Sequence, residues 1–105
     1  MKIDQLRIIV DEREKKSGIP DLLKAVGVNI EIKTLPVGDY IVAPEIVVER
    51  KSIRDLISSI FDGRLFDQCN RLREHFQHPV ILMEGDVDEI EEFTENPLVF
   101  YGAIS

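Results

Sequence analysis

The part of the chain that most constrains its fold is the turn Ala43-Pro44-Glu45, which lies between two short apolar segments. These segments, residues 39–42 and 46–50, predict the two strands of a hairpin, and Pro44 suits the turn because it has no N–H and a fixed φ. Taking all three turn residues as the loop fixes the register, although a slip of one residue would turn every side chain to the other face. The predicted opposed pairs are Val42 with Ile46, Ile41 with Val47, Tyr40 with Val48, and Asp39 with Glu49.

This register predicts two carboxylates, those of Asp39 and Glu49, directly opposite each other with Cβ atoms about 4.5–5.5 Å apart. They repel, but a divalent cation between them would turn repulsion into binding, because Mg²⁺ is held by one or two carboxylates with substrate oxygens and water. Lys51 lies two residues beyond Glu49 and therefore on the same face of the strand. This set suits phosphodiester hydrolysis: a metal polarises the phosphoryl oxygen and acidifies water, and a lysine orients that water and stabilises developing charge.

The neighbours of this set have supporting positions. Arg50 alternates to the opposite face, so only its backbone carbonyl could reach a metal. Asp55 falls in the first turn of the next predicted helix, where it could brace Lys51 or a metal-bound water. Glu49-Arg50-Lys51 is by itself also an ordinary triplet of solvent-exposed charges. The residues alone therefore leave both a metal site and a solvated surface open.

The rest of the pattern predicts a mixed α/β core with helices on a central sheet. One predicted helix begins near Pro20, ends at Gly27 and turns Leu22, Leu23 and Val26 inward. The acidic stretch 86–95 is interpreted as a solvated face, and residues 98–105 as the opening turns of a helix. The other predicted elements are strands over 6–10, 28–35 and 80–83, a helix from about residue 53 to the Asp62-Gly63 break, and a helix over 64–77.

The second of those helices carries a polar stripe of Arg64, Gln68 and Arg71 at spacing i, i+4, i+7. Such a stripe fits a phosphate-facing surface and an ordinary exposed face equally well. Cys69, the only cysteine, falls on the apolar side of the helix and is expected to be buried. A single cysteine excludes a disulfide within the chain and makes a cysteine-based zinc site a poor hypothesis.

The net charge of −7 argues against a chain that holds DNA by itself, because phosphate neutralisation supplies most of such affinity. Either the chain does not bind nucleic acid, or its acids are partly concentrated in a metal site and the grip on DNA comes from elsewhere. No apolar stretch approaches the roughly 20 residues that span a membrane. The first residues lack the apolar core of a signal peptide, so we expect an intracellular protein without membrane partners.

Four motifs in order, over residues 10–14 (VDERE), 35–40 (LPVGDY), 48–56 (VERKSIRDL) and 63–68 (GRLFDQ), resemble the nuclease domain of the XPF family of structure-specific endonucleases, in its archaeal XPF/Hef-like form. The hallmarks of that family are GDY and ERK-x-x-x-D. The resemblance implies a restriction-endonuclease-like, PD-(D/E)xK core. It also implies Mg²⁺-dependent cleavage, with Mn²⁺ as a substitute, of forks, splayed duplexes and 3′ flaps near the junction, in DNA repair or replication-fork processing.

Residue roles follow from the resemblance, motif by motif. It implies metal binding by Asp39, Glu49 and Arg50, and catalysis by Asp11, Asp39, Glu49, Arg50, Lys51 and Asp55. It implies DNA binding by Arg13, Arg64 and Gln68. No catalytic position of the motifs is substituted, which favours an active subunit over a non-catalytic scaffold subunit of a heterodimer. A junction resolvase of the same fold is the other alternative.

The resemblance also bears on domains and partners. We expect a single nuclease domain over residues 1–105, truncated at its C-terminal end and without the tandem helix-hairpin-helix domain that grips DNA in family members. Branched DNA is the expected substrate. A homodimer or heterodimer would form through segments C-terminal to this chain. A sliding clamp or a fused helicase are further partners that the family allows, and the location would be cytoplasm or nucleoid in a prokaryote and the nucleus in a eukaryote.

Overall fold

The computed structural model describes residues 6–86 and 88–93, and its centre is a five-stranded mixed sheet. The strand order is β2-β1-β3-β4-β5, with β1 parallel to β2, β4 parallel to β5, and the two remaining pairings antiparallel. The predicted α/β class with a mixed central sheet is therefore confirmed. The strands are β1 (Arg7–Asp11), β2 (Asn29–Lys33), β3 (Tyr40–Ala43), β4 (Ile46–Ser52) and β5 (His78–Glu84).

The hairpin of β3 and β4 keeps most of its predicted register. Tyr40 pairs with Val48 and Ile41 with Val47, as predicted, but Ile46 pairs with Ala43 and not with Val42. The predicted Val42–Ile46 pair is wrong because the register shifts between Ile41 and Ala43, which shortens the loop to two residues. The irregularity lies at the turn end, so it leaves the opposite end, toward residue 39, in the predicted phase.

Helices cover parts of the sheet and its ends. They are a 3₁₀ helix (Glu12–Ser17), α1 (Ile19–Ala25), α2 (Ile53–Phe61), α3 (Leu65–His75) and α4 (Glu89–Phe93). The Ser52 hydroxyl caps α2 by accepting the N–H of Asp55 at 3.0 Å. Gly18, in the left-handed region with φ 78°, ends the 3₁₀ helix and precedes α1. Within the described residues, no helix is long and apolar enough to cross a bilayer.

Two apolar clusters hold α2 and α3 in place. Val37, Val47 and Leu72 form one cluster, with Ile41 and Phe76 against it, and this cluster joins α3 to β4. The other consists of Ile53, Leu56, Ile57 and Ile90, which joins α2 to α4. Burial of these side chains stabilises the fold by removing apolar area from water. As a result, the segment that carries α3 is fixed over the face of β4 that contains Val47.

Several expectations from the sequence differ from the structure. In the acidic stretch, Asp86, Asp88 and Glu91 are exposed as predicted, but the stretch also contains α4, where Ile90 is 1% exposed and packs on α2. In α1, Leu22 is 67% and Val26 58% exposed, so neither turns inward. Cys69 is half-buried and not a core thiol. The helix expected over 98–105 lies outside the described residues.

Candidate active site

An open pocket of about 310 Å³ lies beside the hairpin, on the face of β4 that α3 covers. Side chains from five parts of the chain line it: the 3₁₀ helix, the loop before β3, β4, α2 and α3. The loop contributes Asp39, β4 contributes Glu49 and Lys51, and α2 contributes the exposed Asp55. The structure therefore brings together the two acids and the lysine that the sequence predicted.

The loop before β3 lies against β4 because of Gly38. A Cβ built at this residue would lie 2.2 Å from Cγ2 of Val47, and its φ of 79° is one that other residues rarely adopt. This close approach lets the Asp39 N–H donate to the Val48 carbonyl at 3.0 Å. Asp39 Oδ2 in turn accepts the backbone N–H of Arg50 at 2.8 Å. The GDY motif thus fixes an aspartate to the strand that carries the glutamate and the lysine, although Asp39 precedes the paired residues of β3.

The surroundings of both pocket carboxylates make their ionisation more costly. Burial raises the pKa of Asp39, and the charges of Glu14 and Asp11 raise it further against the lowering effect of the Arg50 N–H. Burial also raises the pKa of Glu49, and the charge of Asp39 adds to it. Among the described residues, no hydrogen bond reaches the Glu49 carboxylate or Asp39 Oδ1, so these oxygens are available to a ligand.

Lys51 has a defined position in the pocket. Its ammonium donates a hydrogen bond to Oε1 of Gln68 on α3 at 2.9 Å. Because Leu72, one turn further along α3, is buried in the core cluster, the amide that receives this bond is attached to a fixed helix. Gln68 therefore positions the lysine, a contact that the i, i+4 spacing with Arg64 did not predict.

Asp11 is fully buried and does not line the pocket. Its Oδ1 accepts the N–H of Leu35 at 2.8 Å, and its Oδ2 accepts both the N–H and the Nε–H of Arg13, at 3.1 and 2.6 Å. Burial by itself raises the pKa of Asp11, but these hydrogen bonds outweigh it and the net pKa lies below the usual value of 3.8. Asp11 also donates its N–H to the Asp39 carbonyl at 2.9 Å, so it positions the GDY loop.

The Arg50 side chain lies on the opposite face of the sheet, as strand alternation predicted. Its Nε donates to Glu84 at 2.5 Å and its Nη1 to Glu14 at 2.6 Å. These bonds join β4 to the end of β5 and to the 3₁₀ helix. The backbone of Arg50, which holds Asp39, is the part that belongs to the pocket side.

The remaining basic residues are placed differently from their sequence assignments. Arg13 lines the pocket, whereas Arg64 forms an ion pair with Asp62 at 3.0 Å and does not line it. Arg71, which the motif resemblance did not single out, does line the pocket. Of the polar stripe on α3, the residues that reach the pocket are therefore Gln68 and Arg71.

The pocket lacks a preformed cluster of metal ligands. Within residues 6–86 and 88–93, no group of three or more His, Cys, Asp or Glu side chains could hold a metal. Two carboxylates nonetheless suffice for Mg²⁺, which completes its coordination with water and substrate oxygens. The donor set of Asp39 and Glu49 thus fits a hard divalent cation and does not fit zinc, which takes three or four nitrogen, sulfur or carboxylate ligands.

Comparison with known proteins places this pocket in a family. The model of the ERCC4 domain matches residues 10–103. The chain is 48% identical over 90 residues to the 3′-flap repair endonuclease Xpf of Saccharolobus solfataricus, covering 86% of this chain and 39% of that protein. It is 49% identical over 82 residues to the DNA repair endonuclease XPF of Mus musculus, covering 78% of this chain and 9% of that protein.

The fold has a close counterpart among solved structures. XPF from Aeropyrum pernix, in a complex with DNA, superposes with a TM-score of 0.85 at 40% identity, over 95% of this chain and 50% of that one. A structure of the same protein described without DNA gives 0.83. The predicted restriction-endonuclease-like core is confirmed by this match. The chain spans half or less of the length of these relatives.

Proposed function

The chain belongs to the ERCC4 domain family, and on that premise we propose that it is the cutting segment of a structure-specific DNA endonuclease. The single observation that carries this proposal is the convergence of Asp39, Glu49 and Lys51 in one open pocket. The related Xpf is named as a 3′-flap repair endonuclease, and the related Aeropyrum protein is described in a complex with DNA. These names support DNA with a 3′ flap as a substrate, and we extend the proposal to forks and splayed duplexes, cut near the junction.

We further propose that Asp39 and Glu49 hold Mg²⁺, or Mn²⁺ in its place, with the Arg50 carbonyl as a third oxygen ligand. The support is chemical: burial raises the pKa of both acids, the charge of Asp39 raises that of Glu49 further, and three of their four carboxylate oxygens accept no hydrogen bond from the described residues. A bound cation would offset that repulsion, polarise the phosphoryl oxygen and lower the pKa of a bound water.

The side chains of the pocket have separate tasks in this proposal. The Lys51 ammonium, held by Gln68, orients the attacking water and stabilises the charge that develops on the phosphate. Asp55 lies at the same pocket and braces Lys51 or the water. Arg13 binds a backbone phosphate of the DNA, and Asp11 keeps both Arg13 and the GDY loop in position.

The whole protein would need a further DNA-binding region. The net charge of −7 repels DNA, so the affinity must come mainly from residues outside this segment. A helix-hairpin-helix region and a partner subunit joined C-terminal to this chain would supply it. A sliding clamp or a fused helicase fits the same role, and the reaction would take place inside the cell, on repair or replication-fork DNA.

The test is cleavage of a labelled fork and a 3′ flap by the full-length protein with Mg²⁺ or Mn²⁺. We expect Asp39→Asn and Lys51→Ala to lower the cleavage rate at least about 100-fold. The matched control, Asp67→Asn, changes an exposed carboxylate on α3 that does not line the pocket, and should leave the rate unchanged. Thermal melting of each variant shows whether it is folded.

Three results would count against the proposal. Equal cleavage by wild type and both site variants would show that Asp39 and Lys51 are not catalytic. No cleavage with either metal, together with no shift in melting temperature on adding Mg²⁺ or Mn²⁺, would favour a non-catalytic scaffold subunit. Faster cleavage of four-way junctions than of forks and flaps would favour a resolvase.

A further inference from the structure

Helix α3 presents a second polar residue to the pocket, Arg71, one turn beyond Gln68. It lies next to Leu72, which is 2% exposed and packed against Val37 and Val47. The backbone that carries Arg71 is therefore attached to the core, while its side chain is exposed to solvent at the pocket. A charged group anchored in this way is available to a ligand at little cost in backbone ordering.

Arg71 differs from the other cations around the pocket: its charge lowers the pKa of Glu49, but the two side chains form no ion pair. Arg13 binds Asp11, the Arg50 guanidinium binds Glu14 and Glu84 on the other face, and Lys51 binds Gln68. For Arg71 the described part of the chain provides no hydrogen bond and no ion pair to the guanidinium. A guanidinium has five donors in a fork that matches the oxygens of a phosphate, and none of the five donates to a residue that the structure describes.

The negative charge of the pocket opposes DNA binding unless cations contact the phosphates. Three carboxylates line it, those of Asp39, Glu49 and Asp55, and each repels a phosphate. A metal ion between Asp39 and Glu49 would offset their charge only at the scissile phosphate. The neighbouring phosphates of the same strand need cations of their own, and Arg71 and Arg13 are the two arginines whose side chains line the pocket.

Sheet order places these two arginines on opposite sides of the hairpin. The 3₁₀ helix of Arg13 follows β1, which borders β3, whereas α3 leads into β5, which borders β4. A strand that crosses the pocket between them therefore passes over Asp39, Glu49 and Lys51. From this arrangement we propose that Arg71 binds the DNA phosphate next to the scissile one, on the α3 side of the pocket.

This inference rests on the proposed function and makes it more specific. Arg71 would fix the register of the strand relative to Lys51, since Arg71 belongs to α3 and Lys51 is hydrogen-bonded to Gln68 on the same helix. It would not take part in bond breaking. Its loss should therefore raise KM and Kd much more than it lowers kcat.

The test uses the full-length protein and the variants Arg71→Ala and Arg71→Lys, with Arg73→Ala as a control on the same helix that does not line the pocket. The Kd for a labelled fork is measured without divalent metal across a range of salt concentrations. For Arg71→Ala we expect Kd to rise about tenfold and the slope of log Kd against log salt to fall by about 1. Arg71→Lys should recover part of the affinity and the full slope, and KM for cleavage should follow Kd.

The outcomes separate the inference from the function it rests on. Wild-type Kd and slope in Arg71→Ala, or an equal loss in Arg73→Ala, would overturn the phosphate contact even if the wild type cuts normally. A fall in kcat with unchanged KM would overturn it too, because Arg71 would then act in the chemical step. Conversely, Arg71→Ala could reduce the salt slope in a protein that never cuts DNA. That result would support the phosphate contact and reject the nuclease function.

Discussion

Two sets of charged residues near β4 differ in how far other residues of the chain compensate their charge. The framework charges, Asp11, Glu14, Arg50 and Glu84, bind one another or nearby backbone, and the Arg50 side chain is 22% exposed. The pocket acids, Asp39 and Glu49, lie a few residues away with raised pKa values and mostly without hydrogen-bond donors. The first set stabilises the fold, whereas the second consists of acids that burial makes costly to ionise, a pattern typical of functional sites.

One residue, Arg50, contacts both sets. The Arg50 guanidinium is held by Glu14 and Glu84 on one face, while its backbone N–H donates to Asp39 on the other. Alternation along β4 therefore lets a single residue join the framework charges to the pocket acids. The arginine of the ERK motif therefore fixes Asp39 through its backbone and the framework through its side chain.

The largest effect on stability is expected from Asp11→Ala, in the framework set. The change leaves the N–H of Leu35 without its buried acceptor and frees Arg13. We expect the free energy of unfolding to fall by about 3 kcal/mol, because a buried donor loses its charged partner. Urea denaturation measures it, with Asp67→Asn as a surface control. A loss below about 1 kcal/mol would show that Asp11 is not part of the framework.

The pH dependence of Asp11 gives a second measurement. Its folded pKa lies below the usual 3.8, so its ionised form stabilises the fold above pH 3.8, and that stability is lost as the pH falls through the lowered folded value. The stability difference between wild type and Asp11→Asn should therefore stay constant near neutral pH and shrink below about pH 4. A difference that grows on acidification would mean that the folded pKa is raised.

Arg50→Met should have the next largest effect on stability. Glu14 and Glu84 would lose their shared partner, and Glu14 is mostly buried. We expect a loss of about 2 kcal/mol, below the cost at a fully buried pair because Glu84 is partly exposed. Adding Glu14→Gln to Arg50→Met should recover part of this loss, and a double-mutant cycle measures the coupling. Purely additive losses would mean that the two side chains act independently.

The pocket acids should respond in the opposite direction. Glu49→Gln removes a charge that burial and Asp39 make costly, so the metal-free protein should gain up to about 1 kcal/mol. With Mg²⁺ at ten times its Kd, the wild type should gain about 1.4 kcal/mol and the variant much less. Thermal melting with and without Mg²⁺ tests both, and Glu45→Gln, at the exposed turn of the same hairpin, is the control. A variant with the full Mg²⁺ shift would place the ion elsewhere.

The sequence alone predicts much of this difference between the framework charges and the pocket acids. Alternation along residues 46–51 predicts Glu49 and Lys51 on one face and Arg50 on the other without any tertiary information. The predicted register holds at Tyr40 and Ile41 because the irregularity falls at the turn, between Ile41 and Ala43, whereas Asp39 lies outside the paired residues. Local periodicity carries this information, so strand faces and most elements were predictable.

The rest depended on contacts between distant segments. The 3₁₀ helix has no apolar periodicity and is held by Asp11 and Gly18, while α4 is only five residues long and depends on the packing of Ile90 against α2. Helical spacing could not tell whether Arg64 or Arg71 reaches the pocket, because both lie on one stripe. Two tertiary features decide which arginine reaches the pocket. One is the start of α3 at Leu65, and the other is the burial of Leu72, which fixes the rotation of the helix.

The smallest effect is expected from Arg7→Ala, which removes an ion pair of the same chemistry in a different setting. Arg7 binds Glu31 between β1 and β2, but the Arg7 side chain is 67% exposed. Water and salt screen such a pair, and holding two long side chains together costs entropy that offsets most of the attraction. Urea denaturation should give the same midpoint for wild type and variant within error. A loss comparable to that of Arg50→Met would show that burial is not what separates framework charges from ordinary surface pairs.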